Sequence, residues 1–268
     1  MKKCVALKNK KLYLFDIDGV IKLGDTLIDG ALDLYNYINS IGGKSIFITN
    51  NSTKSIKDYV SFFSKLNFDV NEDNFITAAS LTIDYLLSNH KNDYIYVVGT
   101  KSLVKEMKKY DLNVLTKYDE KVNVLLVGFD DELSYEKIVD ACKLLQTKDL
   151  IYLATNLDYK CPVDFGFIPD CGAIVSLLEN VTGKTPVFIG KPNTKMIDLA
   201  INNTGFNKEE TVVVGDRLST DILCGINANV DTCLVYSGEA KKEDIKKSKI
   251  KPTYTFDSVK ELYDFIKE

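Results

Sequence analysis

Apolar runs of strand length alternate with helically spaced segments through nearly all of this chain, and that alternation admits few architectures. Repeated βαβ units build a mainly parallel sheet with helices packed on it. Leu12–Phe15 reads as the first strand. Ala31–Ile38 follows with helical spacing and is closed by Gly42-Gly43, then a strand at Ser45–Thr49 and a helix from Lys54 to Leu66. A second α/β block has strands at Tyr94–Val98, Val122–Val127 and Ile151–Ala154, with helices at Ser102–Lys109 and Tyr135–Leu145 between them. Later strands at Thr211–Val214 and Thr232–Val235 flank a helix around Asp221–Ile226, and Asp257–Lys267 reads as a closing amphipathic helix. No internal repeat or low-complexity linker marks a domain boundary.

At 268 residues the chain can hold one large domain or two smaller ones. Its 34 basic against 38 acidic side chains leave a formal charge of −4, with no basic stripe interleaved with aromatics, so a nucleic-acid partner is not expected. No apolar run approaches a membrane span, and the amino terminus lacks the apolar stretch of a signal peptide. The six cysteines (Cys4, Cys142, Cys161, Cys171, Cys224, Cys233) are scattered without a Cys-x-x-Cys pair, which suits free thiols in a reducing cytosol. A cytoplasmic location is the expectation. His90 is the only histidine and lies in a polar loop, which removes Ser-His-Asp triads and multi-histidine zinc sites. Chemistry here falls to carboxylates, Lys, Thr/Ser or Cys.

Four apolar runs end in polar residues. Leu12–Phe15 runs into Asp16-Ile17-Asp18-Gly19: two acids and a flexible loop where an open α/β sheet keeps its ligand crevice. Like charges this close need a cation between them or a proton on one of them. An Asp-Gly turn after a strand fits the same segment equally well. Ile46–Ile48 ends in Thr49-Asn50-Asn51-Ser52, a hydroxyl and amides at a helix start where backbone N–H groups can hold an anion; helix capping by Ser52 or Thr53 is the alternative. Phe188-Ile189 ends in Gly190-Lys191-Pro192 just before a helix, with Lys191 as an anion holder or as an ordinary surface lysine. Val212–Val214 runs into Gly215-Asp216, with Asp221 five residues on, where an acid could equally serve the helix dipole. Other templates fail. Gly43-Lys44-Ser45 lacks the earlier glycine of a P-loop, since Ile38 stands there, and no Gly-x-Gly-x-x-Gly occurs.

Taken in order, Asp-x-Asp-Gly-Val, Thr-Asn-Asn-Ser, Gly-Lys-Pro and Gly-Asp-Arg-x-x-Thr-Asp resemble the haloacid dehalogenase (HAD) superfamily of aspartate-nucleophile phosphatases. Val98–Leu103, Val127–Asp130, Ala154–Asp158 and Pro169–Ala173 extend the likeness to the NagD-like, or p-nitrophenyl phosphatase, subfamily over nearly the whole chain. The resemblance implies a Rossmann-like parallel-sheet core, formed by residues 1–78 and 185–268, with an inserted α/β (C2-type) cap at residues 79–184.

It further implies Asp16 as nucleophile and Asp18 as general acid and base. Mg²⁺ would be held by Asp16, the Asp18 carbonyl and Asp216, with Asp221 as a direct ligand or a support. Thr49, the Asn50 backbone and Lys191 would grip the phosphoryl oxygens. Asn156 and Asp158, in a cap loop over Asn156–Gly172, are candidates for substrate selection; a turn-stabilising role fits both nearly as well. The expected substrate is a small phosphorylated metabolite such as a nucleotide, a sugar phosphate or pyridoxal phosphate, and a homodimer through the cap is the expected assembly. Two rival readings stay open: a phosphotransferase using the same aspartyl-phosphate, and a non-catalytic phospho-Asp signalling or binding protein.

Overall fold

The computed structural model describes residues 6–163 and 165–268, so Cys4 lies outside the described residues. The chain divides into two compact units: residues 1–49, 59–76 and 191–268, and residues 50–58 with 77–190.

In the first unit, β1 (Leu12–Phe15) is followed by a small hairpin, β2 (Lys22–Leu23) and β3 (Thr26–Leu27), then by helix α1 (Ala31–Ser40), β4 (Lys44–Thr49), α2 (Ile56–Lys65) and β5 (Phe75–Thr77). The second unit carries α3 (Ala78–Asn89), β6 (Tyr94–Val98), α4 (Lys101–Lys109), β7 (Asn113–Leu115), β8 (Val122–Val127), α5 (Tyr135–Thr147) and β9 (Ile151–Ala154). A hairpin, β10 (Lys160–Val163) and β11 (Gly166–Pro169), then precedes α6 (Cys171–Thr182) and β12 (Val187–Phe188). The chain returns to the first unit through α7 (Lys195–Thr204), β13 (Thr211–Gly215), α8 (Leu223–Ala228), β14 (Asp231–Val235), α9 (Lys242–Lys247), β15 (Tyr254–Phe256) and α10 (Val259–Lys267).

The first unit's sheet has the order β15-β14-β13-β1-β4-β5, with β1 parallel to both β13 and β4. All four residues of β1 are buried, the near-continuous apolar run of a strand covered on both faces. An aromatic cluster fills one side of this sheet: Phe47 lies 4.5 Å from Phe63 and 5.2 Å from Phe75, ring to ring. The second unit's parallel sheet has the order β12-β9-β8-β6-β7, with Tyr96, Val98, Leu125, Val127, Leu144 and Leu178 in its core.

The expected parallel architecture is what forms. Three boundaries differ from the reading of the sequence, the smallest being that the second unit's main segment starts at Thr77 and not at residue 79. Residues 50–58 pack with the second unit, because Asn50 Nδ2 donates to Asp158 Oδ2 (2.8 Å) and Ser52 Oγ accepts from the Phe129 N–H (3.0 Å). The return to the first unit falls at Lys191, and not at residue 185, because β12 pairs with β9 and the Gly190 N–H donates to the Thr155 carbonyl at 2.8 Å.

Candidate active site

Parallel strands deliver their carboxyl ends to one edge, so the residues after β1, β4 and β13 converge. β1 lies between the other two, with Phe15 paired to both Val214 and Phe47. The next residue, Asp16, donates its N–H to the Val214 carbonyl at 2.9 Å, which fixes where its carboxylate emerges. Thr49 ends β4, and Gly215 ends β13 just before Asp216; Thr49 and Asp216 are both buried. Gly19 closes the turn after Asp18 at φ 87°, and a Cβ there would meet Asp216 Oδ2 at 2.5 Å. Only glycine satisfies both constraints.

Carboxylate oxygens of Asp16, Asp216 and Asp221 lie within 4.8 Å of one another. Among them sits one ammonium. Lys191, 1% exposed, donates from Nζ to Asp16 Oδ1 (2.6 Å), Asp221 Oδ1 (2.7 Å) and the Ile48 carbonyl (3.1 Å). Asp221 Oδ2 accepts from the Arg217 N–H at 3.0 Å, so both oxygens of Asp221 are engaged by the chain. A widened helical turn over Leu218–Ile222, with the Ile222 N–H on the Arg217 carbonyl at 3.1 Å, aims it inward.

Asp216 differs. Its Oδ2 accepts from the Glu239 N–H at 2.6 Å, while its Oδ1 is buried with no partner among the described residues.

The titration of these groups follows from that arrangement. Burial pushes Asp16 up to about 7 although Lys191 pulls the other way, and Asp221 adds repulsion. Burial, then Asp221 and Asp16, raises Asp216 well above the ordinary carboxylate range. Burial alone would depress Lys191, but Asp16 and Asp221 outweigh it and hold the ammonium charged. Three buried carboxylates against one ammonium leave room for a second cation. The donor set is hard oxygen throughout, and the orphaned Asp216 Oδ1 is a ligand atom in want of a partner, so the residues fit Mg²⁺.

Asp18 is partly exposed and forms a close ion pair with Lys22, which is buried and also donates to the Gly24 carbonyl at 3.0 Å. Lys22 is absent from the sequence reading, since a lysine four residues beyond Asp18 carries no signal until the turn at Gly19 folds it back. Gly238 was missed too. A Cβ there would meet Asp216 Oδ2 at 2.0 Å, and its neighbour Ser237 donates from Oγ to the Gly19 carbonyl at 2.7 Å. The end of β14, an apolar run passing into Ser237-Gly238, is a fifth strand end that the same rule would have found.

Asn50, Asn156 and Asp158 lie in the second unit, and are brought together there. Asp158 Oδ2 accepts from Asn50 Nδ2 (2.8 Å) and Asn156 Nδ2 (3.1 Å); Asn156 Nδ2 also reaches Asp170 Oδ1 at 3.1 Å. Asn156 is fully buried, and its Oδ1 accepts from Thr155 Oγ1 at 2.8 Å. The Asp158 carbonyl accepts from the Gly172 N–H at 2.7 Å. These bonds hold the loop from Asn156 to Gly172 and the start of α6.

Two family models match the chain: a haloacid dehalogenase-like hydrolase model over residues 13–113 and an HAD-hydrolase-like model over residues 188–262. An acid sugar phosphatase of Staphylococcus epidermidis is 35% identical over 250 residues, covering 93% of this chain and 95% of that protein. A 4-nitrophenylphosphatase structure from Thermotoga maritima superposes with a TM-score of 0.90 at 33% identity, covering 97% of this chain and 98% of the other. NagD from E. coli K-12 gives a TM-score of 0.83 at 30% identity over 94% and 98% of the two chains. The chain therefore belongs to the haloacid dehalogenase-like hydrolases, in their NagD-like and 4-nitrophenylphosphatase branch, as a phosphomonoesterase acting on small phosphorylated substrates.

Proposed function

We propose that this chain hydrolyses the phosphate monoesters of small sugars through a phosphorylated Asp16, with Mg²⁺ as cofactor. The observation that carries the reading is the buried trio of Asp16, Asp216 and Asp221 around a single ammonium, Lys191. Asp16 attacks phosphorus and displaces the alcohol, and Asp18 gives that leaving oxygen its proton. Asp18 then takes a proton from water, which attacks the phosphoryl group and restores Asp16. Thr49, the Asn50 backbone and Lys191 grip the phosphoryl oxygens, and Lys191 opposes the repulsion between Asp16 and an incoming dianion. Asp221, with both oxygens held by Lys191 and the Arg217 N–H, keeps that ammonium in place. When bound, Mg²⁺ would rest on Asp16, the Asp18 carbonyl and Asp216, and would supply Lewis-acid neutralisation of the phosphate.

The sugar assignment rests on the likeness to the acid sugar phosphatases of Staphylococcus, together with the length of the match. A panel of sugar phosphates, nucleoside monophosphates and pyridoxal phosphate, each hydrolysed with Mg²⁺, tests it. Sugar phosphates are expected to give the highest kcat/KM; preference for a nucleotide or for pyridoxal phosphate would overturn the assignment while leaving the phosphatase reading intact.

A further inference from the structure

The second unit holds a cleft of about 470 Å³ that the phosphatase chemistry does not use. Its position follows from strand order. In the sheet β12-β9-β8-β6-β7, the chain leaves β6 toward β7 on one side, whereas β8 lies on the other and continues to β9. Open parallel sheets bind ligands at the carboxyl ends of strands where the order reverses in this way. The cleft opens there, with Val97 and Gly99 from the end of β6 in its wall.

Its other wall is α4. That helix buries Leu103 and Met107, while Lys101, Val104, Lys105 and Lys108 follow one another at helical spacing along the face that lines the cleft. Lysines three and four residues apart repel one another, an arrangement that costs stability unless an anion lies between them. Lys137 adds a fourth ammonium, though buried Asp130 accepts from it at 2.7 Å. Lys101, Lys105 and Lys108 are exposed, and among the described residues none is ion-paired. The cleft has one carboxylate in its lining, Glu132, which already accepts from the Lys101 N–H at 2.9 Å. Val97 and Val104 supply an apolar wall, so the chemistry is that of a compact organic anion with more charge than Glu132 carries. The volume is that of a small-ligand site.

We propose that this cleft binds a small metabolite carrying two or more phosphoryl groups, held by Lys101, Lys105 and Lys108. Imidodiphosphate, which shares the adjacent phosphoryl groups and resists hydrolysis, is the probe. Its binding to the full chain is followed by titration calorimetry in three proteins. These are the wild type, Lys105→Glu with Lys108→Glu, and a control, Lys91→Glu with Lys184→Glu, which makes the same charge change at exposed lysines of the same unit outside the cleft. The expected result is saturable binding in the wild type and the control, weakened roughly tenfold or more in the cleft pair. All three proteins are expected to hydrolyse p-nitrophenyl phosphate equally. Should the charge reversals lower the melting temperature, Lys105→Gln with Lys108→Gln gives the same comparison without added negative charge. Unchanged affinity in the cleft variants would place the bound anion elsewhere, and equal losses in cleft and control pairs would reduce the effect to net charge. Either result overturns the proposal. So does the absence of saturable binding, or a short single-stranded RNA that binds in a Lys105- and Lys108-dependent manner where imidodiphosphate does not.

Discussion

The carboxylate proposed to attack phosphorus must be ionised, yet burial pushes Asp16 up to about 7, and Asp216 is raised too. The chain alone under-compensates its own site. The sign of the consequence is definite: both folded values lie above the ordinary carboxylate value of 3.8, so the folded chain keeps protons that the unfolded chain releases as pH rises. Stability from these groups is full below the unfolded value and is lost as pH rises toward and through about 7. Asp216→Asn removes one such carboxylate. In the presence of a chelator the variant should melt above the wild type at mildly alkaline pH, with the difference fading toward acid; a difference that grows toward acid would contradict this electrostatic account. On the proposed Mg²⁺ site the order is expected to reverse with the metal present, since the wild type alone keeps Asp216 as a ligand; an unchanged order would remove Asp216 from that site. Asp18 is tested by leaving group. Asp18→Ala should slow hydrolysis of sugar phosphates by about 10²-fold or more, and that of p-nitrophenyl phosphate much less, since p-nitrophenolate departs unprotonated. Equal losses on the two substrates would remove Asp18 as the acid.

Strand ends explain both what was legible in the sequence and what was not. Fully buried apolar stretches, such as Leu12–Phe15 and Val124–Val127, stand out as continuous runs. The short edge strands Asn113–Leu115 and Tyr254–Phe256 do not, because they expose part of each run and are held by their neighbours. Helix α3 escaped for the opposite reason: with Ala78, Ala79, Leu81, Thr82, Ile83 and Leu86 all buried, it lacks a clear polar face. Its start was nonetheless written in Thr77 and Ser80, whose side chains accept each other's N–H at 3.0 Å. At the site, acids and lysine were readable as residue types after strands. The close approaches that glycines permit were not. A Cβ on Gly215 would lie 2.1 Å from the Asp221 Cβ, so Gly215→Ala must push Asp221 off Lys191. Loss of turnover is expected, with about 1–3 kcal/mol of destabilisation by overpacking. Gly42→Asn, at a left-handed φ of 74° with no atom within 4 Å of the added Cβ, should leave turnover unchanged. A Gly215→Ala enzyme of full activity would show that Asp221 does not set the position of Lys191.

At the scale of the molecule, the division into units was legible only in outline. The sequence places an insertion between Thr49 and Lys191 but carries no composition shift at its edges, so hydrogen bonds decide the boundary: Asn50 to Asp158, Ser52 to Phe129, Gly190 to Thr155. Thr49 and Lys191 are consequently the last and first residues of first-unit segments, and each stands beside a residue anchored in the second unit. No helix among the described residues is long and apolar enough to cross a membrane.

The proposed phosphorylated form of Asp16 can be trapped. Enzyme mixed with Mg²⁺ and excess sugar phosphate is quenched in acid during turnover, digested, and fragmented by mass spectrometry. A phosphoryl mass on Asp16, removed by hydroxylamine and absent from an inactive Asp16→Asn variant, is the expected result. Wild-type turnover by Asp16→Asn, or a phosphoryl group located on any other residue, would contradict the account.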